Sequence, residues 1–166
     1  LNSQFLGSLG SAWQNRIANV AWKVGGADND YIRNTIPMSA VYINEITASG
    51  QHVTNTPTDG KSTYLAKVGL MYASDFAYST LQNKWNVKLG VYDSTININN
   101  WLYRGVSEWL ITRYGNSASS YRVDRNGGVS NWAVNEKLLG ARPVFYLNKN
   151  TVIDMENYTG TKTNHL

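Results

Sequence analysis

The chain contains no cysteine. That absence excludes a disulfide framework, a thiolate-held metal and a thiol nucleophile. Histidine is almost as scarce: His52 and His165 stand alone in polar surroundings. A structural zinc site needs about four clustered ligands, so two distant histidines do not suggest one. Charge is also thin, with Asp, Glu, Lys and Arg together at 16%, well below the usual share. Lys and Arg are scattered singly and the net charge is only +4. With no basic run and no helix-turn-helix or RNP-type motif, no nucleic-acid partner is expected. No apolar run reaches membrane-spanning length, so direct membrane insertion by this segment is not expected either. No Gly-x-Ser-x-Gly is present, and neither histidine has a convincing nucleophile partner. No signal-type segment opens the sequence at Leu1, which leads us to expect a domain excised from a longer exported protein.

What fills the space is Asn, Ser, Thr, Gly and Tyr, a polar but uncharged surface composition common in secreted modules. Six Trp and eleven Tyr are a heavy aromatic load in 166 residues. Aromatics bury large areas and also make contact platforms. This length fits one domain, residues 1–166, with a core that needs neither disulfides nor metals.

Ser11 is placed to cap a short helix running through Trp13 and Ile17. Val20–Val24 reads as a strand ending at Gly25-Gly26. Residues 27–63 are loop-like, with a short helix around Ser39–Glu45. Asp28-Asn29-Asp30 lacks the later oxygen ligands of a calcium loop and reads as a turn. Tyr64–Tyr72 is a strand candidate, Ser74–Leu81 a short helix, and Trp85–Tyr92 an extended segment. Glu108–Tyr114, Tyr121–Asp124, Val129–Trp132 and Pro143–Leu147 read as strands. Asn126-Gly127-Gly128 between two of them is a hairpin signal. Trp85, Trp101 and Tyr103 are expected to fill the core beneath long loops; stacking on sugar rings is the alternative.

Four segments occur in a familiar order. Leu70–Ser79 (LMYASDFAYS) is similar to the LPTEAEWEYA segment of the formylglycine-generating, sulfatase-modifying-factor family. Gly105–Trp109 (GVSEW) resembles its GNVWEW, Asn126–Trp132 (NGGVSNW) its RGGSW with an insertion, and Gly140–Val144 (GARPV) its GFRLV. The order holds over Leu70–Leu147, about half the chain. A closer resemblance, from Trp22 to Leu147, is to carboxy-terminal domains of bacterial surface and pilin-like proteins. The resemblance implies an α+β, C-type-lectin-like fold with two short helices, a twisted and mainly antiparallel sheet, and long loops. It does not carry the family's activity, because those enzymes hold copper with paired cysteines. The calcium-site tripeptides of sugar-binding lectins (Glu-Pro-Asn or Gln-Pro-Asp, and Trp-Asn-Asp) are also missing. No cofactor and no metal is expected.

Within that fold, Glu108 and Trp109 read as structural, with Arg142 as a partner for Glu108. The segment Tyr114–Asn135 has a paratope-like composition: Tyr and Trp for rigid contact area, Ser, Gly and Asn for adaptable hydrogen bonds. In retroelement-diversified relatives of the fold, the variable residues lie in this region. The candidate contact residues are Arg113, Tyr114, Tyr121, Arg122, Asp124, Asn126, Asn131, Trp132 and Asn135. The bland alternative is a polar hairpin on a solvated sheet. The expected function is an extracellular binding or adhesion module, not an enzyme, of bacterial or phage origin. It would recognise a protein or glycan on another cell or surface. A structural pilin-like subunit head, packed on neighbouring pilin subunits, and a retroelement-diversified receptor-binding protein are the alternatives.

Overall fold

The computed structural model describes residues 1–24, 31–46, 63–91, 97–114 and 118–151. Its elements, in chain order, are α1 (Gln4–Ser8), α2 (Ser11–Arg16), β1 (Val20–Lys23), α3 (Val41–Ile46), β2 (Thr63–Ala66), β3 (Val68–Gly69), α4 (Ala73–Tyr78), β4 (Glu108–Arg113), β5 (Ser119–Val123), β6 (Val129–Ala133) and β7 (Val144–Phe145). The protein is α+β, and every named strand pair is antiparallel. Four short α-helices stand among the described residues, where two were expected.

The sheets are small. β1 pairs with β2, β3 with β7, and β4, β5 and β6 form a three-stranded sheet in that order. The expected strand Tyr64–Tyr72 is two strands with different partners, divided at Lys67. Lys67 turns its ammonium to the Gln14 carbonyl. β7 lies beside β3, and Ile17 bridges Leu147. The Ala18 N–H donates to the Tyr146 carbonyl at 2.8 Å and the Asn148 N–H to the Arg16 carbonyl at 2.7 Å. Residues 16–18 and 146–148 are thus stitched together across the length of the chain.

The main core gathers Ile32, Met38, Val41, Met71, Phe76, Leu89, Leu110, Tyr121, Val123 and Val129. A second cluster centres on Trp22, Ala66 and Tyr72. Trp22 lies flat over Gly69, where a Cβ would meet the indole at 2.7 Å, so only glycine fits without a shift. Strand alternation builds the three-stranded sheet between these clusters. Glu108, Leu110 and Thr112 are buried, whereas Trp109, Ile111 and Arg113 are half-buried. Ile111 packs on the Trp22 cluster.

Short helices need their end groups satisfied, since the first backbone N–H groups have no partner within the helix. At α4 three side chains do this, one of them Thr112, whose hydroxyl accepts from the Ala73 N–H at 3.1 Å. Asp75 accepts from the Tyr72 N–H at 2.8 Å. Glu45, reaching across from α3, accepts from Ala73 and Ser74, each at 2.8 Å. The Thr112 hydroxyl donates to the same Glu45 carboxylate.

Two local expectations change. Ser11 is the first residue of α2 with Gly10 in the capping position, and its side chain makes no cap bond. The segment from Trp85 is not extended over its described residues: a 3-10 turn at Gln82–Lys84 leads into further turns up to Gly90. The helix expected at Ser39–Glu45 is present, as a 3-10 turn at Met38–Ala40 running into α3. Asp28-Asn29-Asp30, His52 and His165 lie outside the described residues.

Candidate functional site

The β5–β6 hairpin forms at Asn126-Gly127-Gly128 as its sequence signals. Gly127 has φ +86°, a left-handed conformation that glycine adopts without strain. The Asp124 N–H donates to the Gly128 carbonyl and the Gly127 N–H to the Asp124 carbonyl, both at 2.8 Å. Asp124 Oδ1 also accepts from the Asn126 N–H at 3.1 Å. The Asn97 amide donates to the Asn126 carbonyl from outside the hairpin. Asn126 therefore belongs to the turn, with its residue surface exposed.

Register decides which candidates meet. Tyr121 pairs with Asn131, Arg122 with Ser130, and Ser120 with Trp132. Successive residues alternate faces, so Tyr121 and Asn131 share the core side while Arg122, Ser130 and Trp132 share the other. Tyr121 is fully buried, at 0% exposure, which corrects its assignment as a contact residue. Its ring packs edge-on against Tyr114, with centroids 5.1 Å apart. Tyr114, half-buried, packs on the main core as well and so supports the sheet more than it faces a ligand.

On the opposite side the chain builds an ordered polar-aromatic group. The Arg122 guanidinium lies 4.3 Å from the centre of the Trp132 ring. Its Nη2 pairs with Asp124 Oδ2 at 3.0 Å, and its Nε donates to the Ser130 hydroxyl at 3.1 Å. Ser130 is itself buried beneath. Trp132 remains 46% exposed, and its indole N–H donates to Glu136 at 3.4 Å. Glu136 is held below the ordinary glutamate range, first by the Leu138 N–H and then by the Trp132 N–H. An arginine over an indole is attracted by the ring's electron-rich face, by roughly 0.5–1 kcal/mol where exposed. The stronger consequence is order: the guanidinium has three partners and one orientation. Arg113 is placed nearby through Ser120, its register partner, which pairs in turn with Trp132. A register irregularity lies between Trp109 and Arg113, and the Ser120 hydroxyl sits 3.0 Å from the Leu110 carbonyl and 2.8 Å from that of Thr112. Asn135 is exposed in the turn after β6.

The expected pairing of Arg142 with Glu108 is present. Arg142 Nε donates to Glu108 Oε1 at 3.2 Å, its Nη2 bonds Oε2, and Nη2 also reaches the Leu102 carbonyl at 3.0 Å. The pair ties the GARPV segment to the start of β4, where Glu108 bridges Gly140.

Trp101 reverses an expectation. It is 71% exposed, not in the core. With Asp75, Tyr78, Leu102, Arg142 and Tyr146 it lines a cleft of about 440 Å³. That size falls in the range of small-ligand sites. Trp85 and Tyr103 are partly buried: Trp85 meets Tyr78 edge-on at 4.9 Å, and Tyr103 packs on the core and donates to the Arg125 carbonyl at 2.8 Å.

Among the described residues no group of three or more His, Asp or Glu is arranged to hold a metal ion. No helix among them is long and apolar enough to cross a membrane. No family model, curated protein or solved structure matches the chain.

Proposed function

We propose that the protein is a binding module of C-type-lectin-like fold, exported to a cell surface or pilus. It recognises a protein or glycan ligand through the solvent-facing side of the β5–β6 hairpin and performs no catalysis of its own. The observation that carries this reading is the Arg122–Trp132 stack, held in place by Asp124 and Ser130 while the indole stays open to solvent. An ordered arginine beside an exposed tryptophan loses little side-chain freedom on binding, and these two residue types dominate interface energetics. Ser120, Arg113 and Asn135 provide polar groups around that anchor. The α+β architecture and the order of the LMYASDFAYS, GVSEW, NGGVSNW and GARPV segments support the C-type-lectin-like assignment. A glycan and protein array probed with the wild-type chain and with Trp132→Ala tests it. Signals shared by wild type and variant alike would remove the hairpin from recognition.

A further inference from the structure

The cleft beside α4 presents a carboxyl group that has no ion-pair partner among the described residues. Two ionised side chains line it, Asp75 and Arg142. Arg142 is already paired with Glu108. Asp75 has no ion-pair partner among the described residues. Its Oδ2 accepts from the Tyr72 N–H at 2.8 Å, and its other oxygen has no hydrogen-bond partner among the described residues. Asp75 is accessible from solvent, yet the protein around it displaces enough water to raise its pKa above the ordinary aspartate value. Around this carboxylate the cleft presents the rings of Tyr78, Trp101 and Tyr146. Trp101 and Tyr146 are 71% and 54% exposed. A second hollow of about 320 Å³ shares Asp75 and Tyr146 and adds Tyr42 and Tyr72. Lys23 lines that hollow without pairing with Asp75.

We propose that this cleft is a second binding site that takes a primary alkylammonium, in the form of a lysine side chain of a partner protein. A carboxylate in a cleft lined by aromatic rings complements an organic cation: the rings attract the positive charge, and the oxygen accepts a charge-assisted hydrogen bond. The acceptor sites left open favour a compact cation. A guanidinium is best held in pairs by both oxygens of a carboxylate, and here the Tyr72 N–H competes for one of the lone pairs that such a pairing uses. An ammonium acts as a point charge and needs only one. A quaternary ammonium has no N–H to donate and leaves that oxygen unbonded. The four-carbon lysine stem lies naturally along apolar walls, here Leu102, Val144 and the ring faces. The lining of this cleft shares no residue with the Arg122–Trp132 group, so the site stands independently of the hairpin reading.

The test is an NMR titration of the full chain with Nα-acetyl-lysine methylamide, its norleucine counterpart and tetramethylammonium. Saturable shifts at α4 and Trp101 are expected with the lysine compound, at least about tenfold tighter than with either of the others. Norleucine binding as well as lysine would show a purely apolar cleft and overturn the proposal. Tetramethylammonium binding as well would overturn the choice of a primary ammonium, and so would no lysine binding up to tens of millimolar. Asp75→Asn keeps an oxygen for the Tyr72 N–H and removes the charge. It should lose lysine binding with little change in melting temperature, and retained binding would contradict the proposal. Trp101→Ala, at an exposed position, should weaken lysine binding several-fold; unchanged affinity would count against the site. Trp132→Ala should leave lysine binding untouched, and loss of lysine binding there would place the ligand on the hairpin instead.

Discussion

Glu45 Oε2 accepts the backbone N–H of Ser74 at 2.8 Å, while its other oxygen accepts that of Ala73 at the same distance. One side chain from α3 thus closes the amino end of α4, a helix only six residues long. The Ala73 N–H also reaches the Thr112 hydroxyl at 3.1 Å, so Glu45→Ala strips the acceptor from the buried Ser74 N–H and from the Thr112 hydroxyl, and should cost about 2–3 kcal/mol of unfolding free energy. Urea denaturation of the variant checks this; a loss below about 1 kcal/mol would mean that water replaces the carboxylate.

The same residue makes stability depend on pH. Burial pushes the Glu45 pKa above its ordinary 4.5, against the opposing pull of its hydrogen bonds. The folded state therefore holds the proton more tightly than the unfolded state. The corresponding stabilisation is complete below about pH 4.5 and is lost as pH rises through the elevated folded-state value. Glu45→Gln removes the titration while keeping an uncharged acceptor. The stability of wild type relative to Glu45→Gln should fall as pH rises above 4.5. Parallel stability curves from pH 4 to 8 would contradict this.

Tyr121 and Trp132 lie in adjacent strands and should respond in opposite ways to truncation. Tyr121→Ala empties a fully buried site and should destabilise by about 3–5 kcal/mol. Trp132→Ala removes a side chain at an exposed position and should cost under about 1 kcal/mol. Thermal unfolding of the pair measures both. A large loss at Trp132 would mean that the Arg122 stack supports the fold.

Gly127 should tolerate no side chain. Its φ of +86° disfavours any L residue, and a Cβ there would collide with the Asn97 amide that bonds Asn126. Gly127→Ala should destabilise by about 2 kcal/mol or more, and hydrogen exchange should show a loosened β5–β6 turn.

Some of this was legible in the sequence because its causes are local. Asn126-Gly127 marks the hairpin through glycine's access to positive φ. The alternating residues of Glu108–Arg113 mark a strand, although alternation does not say which face is inward. The Arg142–Glu108 pair was accessible through the planar geometry of guanidinium and the ordered GVSEW and GARPV segments. Tyr121 was misplaced because composition does not fix strand register: moving the phase by one residue exchanges Tyr121 with Arg122. Trp101 was misplaced because burial is settled by chain packing that local sequence does not encode: it stands exposed in a cleft it shares with Arg142 and Tyr146, distant in sequence. Glu45 gave no signal, since its role depends on backbone groups 28 and 29 residues further along. Asp75 was visible only as an early acid in a short helix, which explains its bond to Tyr72 but not the aromatic surroundings.

The proposed function requires that the hairpin's outer side recognise a ligand. The most direct measurement is the affinity of wild type, Trp132→Ala and Arg122→Ala for whichever array ligand the wild type retains, with melting temperatures recorded on the same samples. The account predicts a loss of at least about tenfold in both variants, with Trp132→Ala melting within a few degrees of wild type. Undiminished affinity in both, with their folds intact, would contradict it.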